Sequence, residues 1–375
     1  MKKFLIFVAG DKNNNKYYNM IQNGSEFIVK YGRVGGHETT KRYPMSRWDR
    51  TISSKLRKGY KDISDLKAVK TVVQSKSGNT DFDNFYQVFS KYTKGSVSSS
   101  YLVDTTTPQQ IQEAQKLLDE ITALKKVKKI NSRLEELYKV IPRRMGKVSD
   151  YLISDVAQKN TLLAREQNAL DGMDSANVIN TVNPYEDLNI EFKELDQPPT
   201  WLRDKIEATN TGYRRRDIYK CFKLATPRLE RFENWIKDQK NPVTEHLFHG
   251  TRCPNIFSIL KSGLMIRPTN AAYISGAAYG DGIYMSKDTG KSLGYVGNDP
   301  DALFLISNCH IGKQYEYKGW YRDGKDISRS EMSYQGMKKR NCDSLYVHSG
   351  DGLLSSELIF YKEDQVVIDY IIWFK

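Results

Sequence analysis

Cysteine and long apolar runs are scarce in this sequence. Its four cysteines lie far apart and form no Cys-x-x-Cys pair, so neither a zinc site nor a disulfide framework is supported and no metal is expected. No apolar stretch approaches the length that spans a bilayer, so no membrane is expected among the partners. The run Phe4 to Gly10 follows two lysines as in a signal peptide, but Asp11-Lys12 ends it without a small-residue cleavage site. We therefore expect a first strand, in an intracellular protein that is nuclear in a eukaryote and cytoplasmic in a bacterium or phage.

Positive charge is concentrated near the amino terminus. The 375 residues are 39% hydrophobic and 27% charged, which is enough material for two or three folded domains. The net charge is +13, and residues 1–100 hold 19 Lys and Arg against 8 Asp and Glu, whereas the rest holds 39 against 37. Clustered positive charge is typical of a module that neutralises phosphates. A basic surface that only aids solubility explains it equally well, so charge alone leaves nucleic-acid binding open.

Residues 1 to about 95 have the pattern of a small β-rich domain with one helix. Asn23-Gly24 is a hairpin signal between two strand-like runs. From Arg47 to Asp62 apolar residues recur at every fourth position, while Lys and Arg occupy the other faces. This spacing predicts a helix that packs on the sheet and presents a cationic side.

The next stretch reads as a linker followed by helices. Ser- and Thr-rich patches between residues 63 and 105 predict loops and a linker. Thr107-Pro108-Gln109-Gln110 has the cap, first-turn proline and third-position glutamine that start a helix. Ser132-Arg133-Leu134-Glu135 starts a second helix that Pro142 breaks, and a third is expected from Ser149 to about Leu170.

Four short pieces of the remaining chain carry candidate functional residues. His249-Gly250 follows an apolar pair, as at a strand end where the backbone lets a ligand approach closely. Tyr284 follows a glycine-punctuated turn, and Lys291-Ser292 with Tyr295 predicts a helix. Glu357 opens an apolar strand-like stretch, where a carboxylate is partly withdrawn from water. The β-rich run from Gln365 to Phe374 reads as a central strand.

These pieces match the needs of one reaction. An enzyme that breaks a nicotinamide–ribose bond needs two flat side chains around the ring, a backbone amide and a hydroxyl for the carboxamide, and a carboxylate beside the ribose. Taken singly, each candidate is more often structural, because a lone histidine, tyrosine or strand glutamate usually serves the core or the surface. Their order and spacing together favour the enzymatic interpretation.

In this order the residues resemble the catalytic domain of poly(ADP-ribose) polymerases, with His249, Tyr284 and Glu357 as its His-Tyr-Glu triad. Tyr31-Gly32-Arg33-Val34-Gly35 resembles a WGR domain, with Tyr31 in place of the tryptophan. The helical block lies where such polymerases carry an autoinhibitory helical domain, but it is shorter. The resemblance implies an α+β multidomain protein. It would comprise a WGR-like basic nucleic-acid-binding domain at 1–95, a shortened helical regulatory-like domain at 105–182, and a catalytic domain with a split β-sheet at 183–375.

The same resemblance implies a role for each site residue, with NAD+ as the substrate. His249 would bind the adenosine ribose, and Thr251 and Asn255 would contact the adenosine portion. Gly250 and Ser292 would pair with the carboxamide, while Tyr284 and Tyr295 would enclose the ring. Glu357 would hold the ribose 2′-hydroxyl and orient the acceptor. Tyr31 and Arg33 would contact DNA.

The implied activity is transfer of ADP-ribose to protein acceptors, including the protein itself, with stimulation by nicked or broken DNA. Ala278 is small where an acceptor-site methionine is expected, and Ser355-Ser356 replaces a bulkier Tyr-Asn pair, so transfer of one unit or of a polymer stays open. Two alternatives also stay open. One is a nucleic-acid-binding protein with a degenerate transferase fold, and the other is an enzyme that hydrolyses NAD+ or modifies nucleic acid.

Overall fold

A computed structural model describes residues 1–65, 77–98, 106–210, 215–266, 278–317, 327–350, 353 and 355–375. The chain divides into two compact units. The amino-terminal unit contains the described residues of 1–72 and 94–177, and the carboxy-terminal unit contains those of 73–93 and 178–375. The domain limits 95, 105 and 182 stay a prediction. No helix of the described residues is long and apolar enough to cross a membrane.

The amino-terminal unit contains an antiparallel sheet of order β4-β3-β2-β1-β5. Its strands are β1 (Lys2–Ala9), β2 (Asn14–Asn23), β3 (Glu26–Arg33), β4 (Glu38–Pro44) and β5 (Lys61–Asp62). The expected first strand and the Asn23-Gly24 hairpin are confirmed, with Gly24 at φ +63°. Helix α1 (Trp48–Arg57) covers one face, where Trp48 meets Phe27 edge-on at 5.2 Å. The helix predicted up to Asp62 ends earlier, because Gly59 turns at φ +85° and Lys61–Asp62 pairs with β1.

Helix α2 (Thr80–Ser98) is followed by α3 (Pro108–Ala123), α4 (Val127–Val140) and α5 (Lys159–Ile179). The capping box of Thr107 and Gln110 is confirmed. Helix α4 begins before the predicted start at Ser132 and ends ahead of Pro142, as expected. The third helix was placed wrongly, since Val148–Tyr151 and Val156–Gln158 are short 3-10 turns and α5 starts only at Lys159. Buried side chains of α3, α4 and α5 pack on the second face of the sheet.

Helix α2 overturns the linker prediction for part of 63–105. The side chain of Asn79 accepts a hydrogen bond from the Phe82 amide at 2.9 Å, which caps the helix start. Phe82, Phe85 and Phe89 are buried in the main core of the carboxy-terminal unit. Serine and threonine near the end of α2 led to the prediction of a loop, although the phenylalanines recur on one helix face.

The carboxy-terminal unit contains two sheets, of order β6-β7-β14-β10-β8 and β11-β12-β13-β9. Strand β14 is central in the first sheet, as predicted. The strands are β6 (Glu191–Leu195), β7 (Ile218–Ala225), β8 (Thr244–Thr251), β9 (Ile283–Met285), β10 (Ala302–His310), β11 (Gln314–Tyr317), β12 (Ser344–Val347), β13 (Glu357–Phe360) and β14 (Val366–Phe374). The helices are α6 (Pro184–Leu188), α7 (Thr200–Glu207), α8 (Arg228–Lys237), α9 (Ile256–Ser262), α10 (Thr289–Leu293) and α11 (Tyr334–Lys339). The α+β class with a split sheet is thus confirmed.

Candidate active site

A backbone bridge joins the two sheets at the candidate site. The Phe248 amide donates to the Ser286 carbonyl at 2.8 Å, and the Ser286 amide donates back at 2.9 Å. The bridge places His249 beside Tyr284, and Nδ1 of His249 donates to the Tyr284 carbonyl at 3.0 Å. Because a carbonyl only accepts, the proton is on Nδ1 and Nε2 is the acceptor. Burial lowers the pKa of His249, which keeps the ring neutral near pH 7.

Gly250 is required by a close approach to α10. A β-carbon at Gly250 would lie 1.9 Å from the carbonyl oxygen of Ser292, so no other residue fits without displacing the helix end. Asp288 caps α10 by accepting from the Lys291 amide at 2.9 Å. Ser292 is buried, and the contact places its backbone directly against the end of β8.

Tyr284 and Glu357 lie on adjacent strands. Strands β9 and β13 pair with Tyr284 opposite Ile359 and Met285 opposite Leu358. The Tyr284 hydroxyl accepts from the Tyr279 amide and donates to the Gly280 carbonyl, both at 2.8 Å. Burial raises the pKa of Tyr284 well above its usual value, with a contribution from Glu357. The phenol is therefore protonated and held in one orientation.

Glu357 forms an ion pair that the sequence did not reveal. Its carboxylate lies 2.8 Å from Nζ of Lys291, and the two side chains are only 7% and 12% exposed. The same ammonium donates to the Ser355 carbonyl at 2.9 Å. No role was predicted for Lys291, and its position next to Ser292 was the one available signal. The pair orients the carboxylate with little competition from water.

The other predicted site residues lie at the ends of the same elements. Tyr295 follows α10 and is 43% exposed, so its ring is accessible. Thr251 is the buried last residue of β8, and Asn255 ends the turn that follows it. The Ala278 carbonyl accepts from Arg329 at 3.3 Å, and Ser286 donates to the Ser356 carbonyl at 3.3 Å.

Tyr31 and Arg33 belong to the amino-terminal unit. Tyr31 stands opposite Tyr18 across β2 and β3, with ring centroids 5.6 Å apart. The Arg33 guanidinium donates to the carbonyls of Met145 and Gly146 at 3.0 and 2.7 Å, and also to Asn13. Arg33 thus ties the sheet to the connection between α4 and α5. Its contact with nucleic acid stays a prediction.

Among the described residues, no group of three or more His, Cys, Asp or Glu side chains is placed to hold a metal ion. All four cysteines are buried and unpaired by disulfides.

Two family models match parts of the chain. Residues 200–375 match the family model of the poly(ADP-ribose) polymerase catalytic domain, and residues 1–67 match that of the WGR domain. The putative poly [ADP-ribose] polymerase-like 100L of Invertebrate iridescent virus 6 is 41% identical over 184 residues, covering 49% of this chain and 97% of the relative. Uncharacterized protein 101L of the same virus is 34% identical over 206 residues, covering 51% and 85%. Poly [ADP-ribose] polymerase 1 of Gallus gallus is 23% identical over 361 residues, covering 86% and 34%.

The chain belongs to the poly(ADP-ribose) polymerase family. Its WGR region, helical segment and β-sheet catalytic domain are those expected from the motifs. Catalytic domains of this family use NAD+ as substrate and support ADP-ribosyl transfer.

Proposed function

We propose that this protein cleaves the nicotinamide–ribose bond of NAD+ and transfers ADP-ribose to protein acceptors, itself included. One observation carries the proposal: a buried, ion-paired carboxylate, Glu357, stands on the strand next to Tyr284, whose carbonyl in turn holds His249. One junction of two sheets thus brings together a neutral hydrogen-bond acceptor, an aromatic ring held in one orientation and a buried carboxylate. This combination suits NAD+ as the substrate.

The residues present fit NAD+ at each of its parts. Nε2 of His249 is the acceptor that a ribose hydroxyl requires, because Nδ1 is occupied. The Gly250 backbone and the Ser292 hydroxyl supply the two partners of a carboxamide, and the missing side chain at Gly250 lets the ring approach. The fixed Tyr284 ring forms one wall, and the exposed Tyr295 ring supplies the other.

The proposed chemistry needs little acid assistance. Nicotinamide leaves as a neutral base from a pyridinium, and positive charge develops on the ribose, as in glycoside cleavage. Glu357 stabilises that charge electrostatically and accepts from the ribose 2′-hydroxyl. Lys291 holds the Glu357 carboxylate in place through the ion pair. The carboxylate therefore does not have to reorient while the bond breaks.

We further propose that the amino-terminal unit binds nicked or broken DNA and that binding stimulates transfer. The support is the WGR match of residues 1–67 together with the excess of Lys and Arg in residues 1–100. Helices α3, α4 and α5 are proposed to act as a shortened regulatory domain. Whether the product is a single unit or a polymer depends on the acceptor side, where Ala278 and Ser355 are small.

The test is the intact mass of the protein and of added DNA after incubation with NAD+, with and without broken duplex. Mass gained by the protein in ADP-ribose units supports transfer, and the number of units separates single from repeated transfer. Free ADP-ribose alone would identify a hydrolase, and mass gained only by DNA would identify a nucleic-acid-modifying enzyme. DNA binding without nicotinamide release would indicate a degenerate transferase fold.

A further inference from the structure

The last turn of α2 within the carboxy-terminal unit contacts the chain just beyond β8. The Tyr92 hydroxyl donates to one carboxylate oxygen of Asp301 at 2.5 Å. The Thr93 hydroxyl donates to the Pro254 carbonyl at 3.2 Å and also reaches its own helix at the Phe89 carbonyl. Two consecutive side chains of α2 therefore reach two separate parts of the chain around the end of β8.

Asp301 connects the Tyr92 contact to the end of β8. Its second carboxylate oxygen accepts from the Trp373 indole at 2.7 Å, so both oxygens have donors. Its backbone carbonyl accepts from the Cys253 thiol at 3.3 Å. Asp301 immediately precedes β10, whose Leu303 pairs with Thr251. A shift of Asp301 would therefore move the chain that supports the end of β8.

The segment held in this way runs from Arg252 to Asn255. It forms a 3-10 turn over Cys253–Asn255, with Cys253 fully buried and the Asn255 amide donating to the Arg252 carbonyl at 3.0 Å. Thr251, which directly precedes this segment, and Asn255, which ends it, are the residues proposed to contact the adenosine portion of NAD+. Cys253 and Pro254, the residues that α2 and Asp301 hold, lie between them.

We propose that Tyr92 and Thr93 of α2 are positioning residues for the adenosine end of NAD+. This inference rests on the proposed function. The Tyr92 and Thr93 hydroxyls reach Asp301 and Pro254, whereas the proposed nicotinamide end combines Gly250 of β8 with residues of β9, α10 and β13. Loss of the α2 contacts should weaken binding of the adenosine part and leave bond cleavage in the bound complex unchanged.

The experiment compares two variants with two matched controls in the full chain. Tyr92→Phe and Thr93→Val each remove one hydroxyl that reaches the segment. Tyr86→Phe removes a hydroxyl of the same helix that donates instead to the Ile179 carbonyl at 3.0 Å, and Thr93→Ser keeps the hydroxyl. The readouts are KM and kcat for nicotinamide release, and calorimetric binding of ADP-ribose and of benzamide, which probe the two ends of the site separately.

We expect Tyr92→Phe and Thr93→Val to raise KM and the dissociation constant of ADP-ribose by roughly threefold to tenfold, the range expected for loss of one hydrogen bond. Values of kcat and benzamide affinity should stay at wild-type level, and both controls should match wild type. Unchanged ADP-ribose binding in Tyr92→Phe would overturn the inference, as would an equal effect in Tyr86→Phe or on benzamide. Absence of nicotinamide release by the wild type would instead count against the proposed function. Binding of ADP-ribose by the variants would then still test whether α2 positions the adenosine end.

Discussion

At the residue scale, the Lys291–Glu357 pair is a nearly buried ion pair within the candidate site. The two charges are nearly buried and lie 2.8 Å apart. Removing one of them would leave the other desolvated and unpaired, which destabilises the folded state. The pairing also joins α10 to β13, two elements that carry different parts of the proposed substrate site. It was not predictable from the sequence, since nothing local indicates that residues 66 positions apart meet.

Replacing Lys291 by Met should reduce both activity and stability. The unpaired carboxylate loses its orientation, and we expect kcat to fall roughly 10- to 100-fold, or about 1.4–2.7 kcal/mol in the barrier. Breaking a buried pair also costs about 3–5 kcal/mol of unfolding free energy. Nicotinamide release and denaturant unfolding measure the two effects. Lys291→Arg should recover part of the activity.

Lys287→Met is the matched control, because Lys287 is more exposed and pairs with Glu245 rather than Glu357. It should change kcat by less than about twofold. Equal losses in the two variants would show that the Lys291 pair has no special role.

His310 makes the stability of the protein depend on pH. The Trp235 indole donates to Nδ1 at 3.1 Å, and Nε2 donates to the Asn241 carbonyl at 2.7 Å, so the ring is held neutral. Burial lowers the pKa of His310 below its usual 6.5. As the pH falls through 6.5 the unfolded chain takes up a proton before the folded chain does, so stability must decrease from there down to the lowered pKa.

His310→Gln should therefore lose less stability on acidification than the wild type. The difference amounts to about 1.4 kcal/mol for each unit by which the pKa is lowered. Melting temperatures between about pH 7.5 and about pH 5 measure it. His37→Gln, at an exposed position, should keep the wild-type dependence. The same acid sensitivity in wild type and His310→Gln would refute this assignment.

At the element scale, α2 and the bridge between β8 and β9 determine how the carboxy-terminal unit is built. Helix α2 supplies three buried phenylalanines to the core, and the ring of Phe85 lies 5.1 Å from Phe192 and 5.3 Å from Phe222. The bridge joins the two sheets through Phe248 and Ser286. Together they place the strand ends that carry the site residues on a rigid support.

Truncating Phe85 to Ala should destabilise the carboxy-terminal unit. Removal of a fully buried aromatic ring leaves a cavity that costs about 3–5 kcal/mol. Denaturant unfolding should show this loss, whereas Lys91→Ala, at an exposed position of the same helix, should stay within about 0.5 kcal/mol. A wild-type midpoint for Phe85→Ala would mean that α2 does not pack in the core.

Sequence patterns predicted elements whose signals are local. The capping box at Thr107 and the central strand β14 followed from residue order and from an apolar run. Helix α2 was missed although Asn79 and the spacing of its phenylalanines signalled it, because the serine-rich end suggested a linker. The bridge between the sheets was beyond such patterns, since strand pairing across distant segments leaves no periodic mark in either one.

At the scale of the whole molecule, charge and catalysis are assigned to different units. Residues 1–72 of the amino-terminal unit hold 16 Lys and Arg against 6 Asp and Glu, whereas the candidate active-site residues lie in the carboxy-terminal unit. Within the amino-terminal unit, the Arg33 contacts with Met145 and Gly146 join the sheet to the connection between α4 and α5. The proposed DNA binding and the proposed catalysis are thus assigned to different units.

Binding of broken duplex DNA should weaken with salt in proportion to the phosphates neutralised. Replacing Arg57 and Lys58, both exposed at the end of α1, by Gln should lower the slope of log affinity against log salt by up to about 1.8. Fluorescence anisotropy at several salt concentrations measures it. Replacing Lys237 and Lys240, which are exposed in the carboxy-terminal unit, by Gln should leave the slope of log affinity against log salt unchanged. An equal change in both pairs would indicate binding by overall charge alone.

We propose that distant residues converge into one site for the nicotinamide end of NAD+, with Glu357 as its carboxylate. The most direct measurement is the initial rate of nicotinamide release by wild type, Glu357→Gln and Glu191→Gln, the last an exposed glutamate that also opens a strand. We predict release by wild type and Glu191→Gln, and a loss of at least about 100-fold in Glu357→Gln with NAD+ binding retained. Release by Glu357→Gln at the wild-type rate would rule out this role of Glu357.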